Sequence, residues 1–397
     1  MEIIRRIAAL VESSPLRLYC VGPTRYPAQN PNRKDRDFMK VAIVLPPGCQ
    51  FSAARPNSME TVVRTLAAAA CDEQTLRIFC DAGAEERDPR AWPLPSGLGR
   101  SRALVRALQA FEPDIIEFHQ NSRFAARLAQ RFPDAVRILY RHNDVRPPRG
   151  AFAAWRYRQR YEPFDGLVFV SQASQNAFVD AFPEFADRAF TIRNPIDVGL
   201  WGASPENREK LIVFSGRAIP EKGVDLLCRS LPEVLERHPE WRAKMFLGDW
   251  SKHAKWAAPH VEQMLARSDR ITVHRHAPLA EVREATRRAA IAVTPSVWAE
   301  PLGLSALEAH AAGAALVSSG RGGLKEVSGP HALYVDPLDE TTLGQAIERL
   351  ILDPDERLRL ARGGQTYVAD VHAPAVRAVE LKDLRRSLIL AKAVRSS

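Results

Sequence analysis

A chain of 397 residues exceeds what one hydrophobic core supports, so at about 100 to 200 residues per domain two domains are expected. Hydrophobic residues make up 46% and charged residues 26%, an ordinary globular composition, and no run approaches the roughly 18 apolar residues of a membrane-spanning helix. Without the run and cleavage site of a signal peptide a cytoplasmic location is expected, and 56 basic against 47 acidic residues, net +9, favour anionic partners: nucleic acid, an acidic membrane surface or phosphorylated ligands. Cys20, Cys49, Cys71, Cys80 and Cys228 are odd in number and scattered, with no CxxC pair, so neither a disulfide framework nor a zinc site is indicated.

Along the chain, "MEIIRRIAALVESS" has apolar residues at helical spacing beside Arg5 and Arg6, and "GPTRYPAQNPNRKDRD" reads as disordered linker. Residues 1–38 are therefore expected to be a partly disordered extension, with a peripheral membrane anchor as a further reading. From Met39 short apolar runs alternate with longer helical patterns: "VAIVLP", "LRIFC", "DIIEF", "VRILY" and "GLVFV" are each followed by a helix-like stretch. Runs of this kind predict strands buried on both faces of a parallel sheet, the α/β doubly wound arrangement. The polar stretch "TIRNPIDVGLWGASPENREK" then predicts a linker, and the alternation restarts with "LIVFSG", "KMFLG", "ITVHR", "IAVTP" and "ALVSS". The expected organisation is two doubly wound, Rossmann-like domains, residues 39–198 and 199–372, followed by a terminal amphipathic helix over 373–397 that packs back on the first domain. Ligands of such sheets bind beyond the carboxyl ends of the strands, which points to the cleft between the domains.

Three stretches carry candidate chemistry. In "LIVFSGRAIPEKGVDLL" a strand runs into Gly216, Arg217 follows, and Lys222 and Gly223 open a helix, so two flexible cations near a helix N-terminus suit a diphosphate. A βα loop with solvated charges would carry the same letters. In "WAEPLGLSALEAHAAG" a helix opening near Gly303 and Leu304 would offer backbone amides to the phosphates. Glu308 on its flank could accept both hydroxyl protons of a ribose, while Glu300 in the preceding turn would face a sugar. Two surface glutamates at that spacing are the plainer alternative. His119 and His142 close neighbouring strands in the first domain, where a neutral imidazole can donate to a ligand hydroxyl or simply stabilise a loop.

Taken together, "GRAIPEKG", "GDW", "VTPSVWAEPLGLSALEAHAAGAALVSSGRGGLKEV" and "YVDP" resemble the nucleotide-binding half of the family-four retaining glycosyltransferases. "MKVAIVLPPG", "PDIIEFHQ", "FDGLVFVSQASQNAF" and "IRNPIDV" resemble the acceptor half, in the same order, over about residues 39 to 372. The resemblance implies two Rossmann-like domains facing a cleft in the B-type glycosyltransferase fold. It implies a hexose moved from a nucleoside-diphosphate sugar to an acceptor hydroxyl with retention of configuration, in bacterial envelope polysaccharide, lipopolysaccharide or glycolipid assembly. Position by position it places Arg217 and Lys222 on the diphosphate with the amides of Gly303 and Leu304, Glu308 on the ribose, Glu300 on the transferred sugar and His119 near the reacting centre. No cofactor and no metal are expected beyond the donor itself.

Three departures stand out. The double glycine of the family after the first strand is absent, with Asn57, Ser58 and Glu60 nearby instead; Glu117 stands where many members have a histidine; and His310 replaces an apolar residue. Separately, "RHNDVRPPRGAFAAWRYRQRY" sets Arg141, Arg146, Arg149, Arg156, Arg158 and Arg160 mainly against Asp144. With Trp155, Tyr157 and Tyr161 interleaved, it could bind nucleic acid, anionic lipid headgroups or a phosphorylated acceptor, or be a solvated helix whose aromatics pack inward. Arg146, Arg149 and Arg156 are assigned here to an acceptor or membrane surface. The partners expected are a nucleotide-sugar donor, a saccharide or lipid-linked acceptor and an anionic membrane surface on the inner face of the cytoplasmic membrane. The other readings are a nucleotide-sugar epimerase of the same fold and a basic nucleic-acid-binding or scaffold protein with a vestigial sugar site.

Overall fold

The computed structural model describes residues 38–51, 57–71, 73–83, 88–143, 145 and 147–396. The 1–38 extension, Phe38 apart, lies outside the described residues, as do Arg146 and Asp144. Among the described residues thirteen strands form two sheets, and every pairing in both is parallel.

The first sheet is built from β1 (Met39–Val44), β2 (Gln74–Asp81), β3 (Ala91–Leu94), β4 (Ile115–His119), β5 (Val136–Arg141), β6 (Gly166–Phe169) and β7 (Ala189–Thr191), in the order β3-β2-β1-β4-β5-β6-β7. The central runs are apolar at nearly every position because both faces are covered. Ile115, Ile138, Tyr140 and Val168 join the core beneath the Ser58–Ala68 helix, while Ile116, Phe118, Leu139 and Leu167 face a second core rich in phenylalanine. Three sequence-predicted strands are extended by neighbours that the pattern did not announce: β3, with Pro93 at the sheet edge where its missing N–H costs no ladder bond, and the three-residue β7 and β13.

The second sheet contains β8 (Glu209–Arg217), β9 (Arg242–Gly248), β10 (Ile271–Arg275), β11 (Ala289–Thr294), β12 (Ala315–Ser318) and β13 (Ala332–Tyr334), ordered β10-β9-β8-β11-β12-β13. In both sheets the order reverses beside the first strand, between β1 and β4 and between β8 and β11. These reversals open the crevices in which doubly wound folds hold ligands.

The terminal helix Pro374–Ser396 packs on the first sheet. Its Leu381 and Leu388 join that core, and Leu388 reaches within 2.8 Å of where a Cβ on Gly166 would sit, so β6 carries a glycine at this crossing. Arg385 makes a two-pronged pair with Glu117 of β4 at 2.8 and 2.7 Å and also donates to Gln74 at 2.6 Å. Glu117, 1% exposed, is thereby an anchor for the terminal helix, which accounts for a carboxylate at the position where the resemblance implies a histidine in many members. Where the chain passes between the sheets, His372 Nδ1 lies 2.7 Å from the carbonyl of Asn194 and Ile196 donates to the carbonyl of His372 at 2.9 Å. Both crossings are thus tied to each other.

Candidate functional site

At the second crevice, β8 ends in Gly216 and Arg217, and the chain turns through Pro220–Lys222 into the helix Val224–Arg237. Gly223 takes a left-handed φ of 66°, and a Cβ there would lie 2.0 Å from the carbonyl oxygen of Pro295, so only glycine lets this turn close on the loop after β11. Val297 donates to the Glu221 carbonyl at 2.9 Å, locking the two loops together. Their side chains meet as well: Lys222 Nζ lies 2.6 Å from Glu300 Oε1, and Ser296 Oγ donates to the same oxygen at 2.5 Å. Glu300 is only 4% exposed, and a buried carboxylate needs such partners to stay charged. Its Oε2 accepts no hydrogen bond among the described residues, and Lys222 has further N–H groups, so both retain capacity for a ligand.

Glu300 is held in place from its backbone too. It bridges Gly322, and its carbonyl accepts from Gly323 at 2.7 Å. Three residues on, Gly303 at φ 101° caps the helix Leu304–Ala311 without a side-chain cap, which leaves first-turn amides to face an anion. Glu308 lies on that helix, partly covered, and its carboxyl has no hydrogen-bond partner among the described residues; burial pushes that carboxyl up to about 8. Arg217 is exposed at the end of β8 and has no carboxylate bonded to it among the described residues. Nearby Asp249 is held below the usual carboxylate range, chiefly by its hydrogen bond from Lys252 and in part by Arg217. The structure therefore joins Lys222 to Glu300 directly. Arg217, Gly303, Leu304 and Glu308 stand on the same loops and helix without bonding to that pair.

On the first sheet, His119 closes β4, but its ring is 4% exposed. It stacks on Tyr140 with ring centres 5.0 Å apart, and its Nδ1 lies 2.8 Å from His142 Nε2. Burial lowers His119 to about 3 and keeps His142 neutral as well, so one ring donates to the other. Of the two it is His142, just past β5, that reaches solvent. Asn57 and Glu60 serve the fold: Asn57 caps the Ser58–Ala68 helix, and Glu60, 3% exposed, accepts from the amides of Phe51 and Asn57. Arg149, two residues before the Ala151–Tyr161 helix, and Arg156, on it, are exposed, and Arg146 lies outside the described residues. His310 is fully buried on the Leu304–Ala311 helix with its ring against Gly364, where a Cβ would come within 2.1 Å of Nδ1. The substitution thus fits a glycine on the facing helix, although both ring nitrogens lack partners among the described residues.

Sequence reasoning overlooked the contacts that join the two crevices. Ser171 caps the helix Gln172–Ala181, accepting from Ser174 N at 3.0 Å, and donates to the carbonyl of Pro301; Ser174 Oγ donates to that same carbonyl at 3.1 Å. Glu326, on the short helix Leu324–Ser328, accepts from the amides of Gln172 at 2.9 Å and Ala173 at 2.6 Å. A helix N-terminus of the first domain thus grips a carboxylate of the second, beside the loop that carries Glu300. Ser296 was also passed over; its signal was a small hydroxyl four residues before Glu300.

Residues 59–200 match glycosyltransferase family 4, and residues 202–367 match glycosyl transferases group 1. Alpha-maltose-1-phosphate synthase of Mycolicibacterium smegmatis is 30% identical over 228 residues, 51% of this chain and 58% of that protein. Among solved structures, sucrose-phosphate synthase from Thermosynechococcus elongatus superposes with a TM-score of 0.72 at 19% identity, over 89% of this chain and 100% of that one. HepE of Anabaena in complex with UDP superposes with a TM-score of 0.71 at 17% identity, over 88% and 100%. The chain belongs to the family-four glycosyltransferases and has their B-type fold of two parallel-sheet α/β domains.

Proposed function

We propose that this protein moves a hexose from a nucleoside-diphosphate sugar to an acceptor hydroxyl with retention of configuration, in the assembly of an envelope polysaccharide, lipopolysaccharide or glycolipid. The observation that carries the reading is the Lys222–Glu300–Ser296 cluster at the β8/β11 switch point, three residues before an uncapped helix N-terminus. A cation, a carboxylate with one free oxygen and exposed amides are the groups that a sugar diphosphate needs at its junction. In this reading Arg217, Lys222 and the amides at Gly303 and Leu304 take the diphosphate and the charge that grows on it as the sugar leaves. Glu300 Oε2 accepts from sugar hydroxyls, and Glu308 accepts from the ribose. His119 sets the tautomer of His142, and through it the hydrogen bond offered to an acceptor or donor hydroxyl. The UDP held by HepE supports a nucleotide donor.

The test is donor turnover by the purified protein across UDP-, GDP- and ADP-hexoses, with and without saccharide or lipid acceptors. Transfer that depends on acceptor and is lost in Glu300→Ala is expected. Interconversion of the donor sugar with no acceptor present would make the protein an epimerase and refute the reading.

A further inference from the structure

Between residues 122 and 161 the chain carries ten arginines and two aspartates, and the helices Ser122–Ala129 and Ala151–Tyr161, which pack side by side, contain no acidic residue. Arg123, Arg127, Arg149 and Arg156 are exposed, and none has a carboxylate partner among the described residues. A solvated helix hides its large aromatics, and Tyr161 does so, 1% exposed against Phe178 and Phe182. Phe152 and Trp155 do the opposite. They are 70% and 54% exposed, their ring centres lie 5.9 Å apart on one face of the helix, and Arg156 sits 5.8 Å from the Phe152 ring. An exposed aromatic pair with Arg156 beside it and Arg123 and Arg127 on the adjoining helix, arginines without a carboxylate partner among the described residues, matches the depth profile of an anionic bilayer surface, with rings at the acyl boundary and guanidiniums among the phosphates.

We propose that this face docks on an anionic lipid bilayer, with Phe152 and Trp155 entering the headgroup region. The Ala151–Tyr161 helix begins after the carboxyl end of β5, the sheet edge that also carries His119 and His142. Docking there brings a membrane-borne acceptor to the first crevice, a statement that rests on the transfer reading above. The binding itself does not depend on it.

The test is sedimentation of the full chain with vesicles of phosphatidylcholine alone and of an equal mixture with phosphatidylglycerol, which reads binding without any transfer. Binding to the mixed vesicles only, weakening with salt, is expected. Near an anionic surface each arginine contributes about fivefold, so Arg149→Gln with Arg156→Gln should lower partitioning about 25-fold. Phe152→Ser with Trp155→Ser should lower it too, leaving a fraction that salt strips completely. All four positions are exposed, so the variants should unfold at the parent temperature. No vesicle binding, equal binding to both vesicle types, or variants that partition like the parent would overturn the proposal. Salt-dependent binding to single-stranded RNA in place of vesicles would reassign the surface to nucleic acid.

Discussion

Replacing Lys222 with methionine removes one of the two groups that satisfy Glu300 Oε1, the ammonium at 2.6 Å, and leaves a carboxylate 4% exposed with Ser296 as its remaining side-chain donor. Breaking a buried pair in this way costs about 3–5 kcal/mol. The Lys222 side chain keeps 17% of its exposure, which lets water reach the vacated space and puts the cost near the lower end, about 3 kcal/mol. At roughly 2 °C per kcal/mol for a domain the size of residues 199–372, the unfolding midpoint of that domain should fall by about 6 °C. Glu300→Gln in the same chain removes the stranded charge, so the double variant should recover most of that loss, while neither variant transfers sugar. The nucleoside diphosphate should bind more than tenfold more weakly to Lys222→Met, the equivalent of about 1.5–3 kcal/mol for one charge-assisted contact. The assays are thermal unfolding of the four chains of the cycle and calorimetric titration of each. A Lys222→Met protein that melts with the parent and keeps its nucleotide affinity would refute both the pair and the diphosphate role.

Further outcomes follow from the same geometry. Burial raises Glu308 to about 8, so in the free protein it is mostly neutral at pH 7, whereas two ribose hydroxyls would favour the carboxylate; nucleotide affinity should therefore rise with pH through about 8, with proton release on binding, and Glu308→Gln should flatten the profile. The stability sign is opposite: a raised carboxyl favours the fold fully below its unfolded value near 4.5 and loses that contribution as pH climbs through 8, so Glu308→Gln should be more stable than the parent at pH 9 in chemical denaturation. Gly223→Ala forces a left-handed φ and a Cβ 2.0 Å from the Pro295 carbonyl; a loss of about 2 kcal/mol or more and weaker nucleotide binding are expected by denaturation and calorimetry. Glu326→Ala releases two amides of the Gln172–Ala181 helix, and the domains should open, read as a larger radius of gyration in solution scattering and a higher KM for donor, with partial rescue by Glu326→Gln.

Central strands were legible because burial on both faces leaves almost no polar position to blur the apolar run, as in β6 and β11. The edge strands β3, β7 and β13 were not, since three or four residues with one unpaired side carry little pattern. Glu300, Lys222 and Gly303 could be read from their place after strand ends, but their pairing could not, because Lys222 and Glu300 are 78 residues apart and meet only through the β8/β11 crossover. The same limit hid Glu326, 154 residues from Gln172, and Arg385, 268 residues from Glu117. Glu117 looked like a lost histidine until its partner came from the far end of the chain. His119 sits at the strand end that the sequence indicated, yet the alternation that makes strands readable also turns its ring inward, toward Tyr140 and the terminal helix.

The claim that the second crevice is a nucleotide-sugar site is tested most directly by calorimetric titration of the parent and Glu308→Ala chains with UDP, GDP and ADP. Saturable binding of one nucleotide by the parent, weakened at least tenfold in the variant while the fold is retained, is the predicted result. Well-folded parent protein that binds none of the three, or a variant that binds as tightly as the parent, would contradict it.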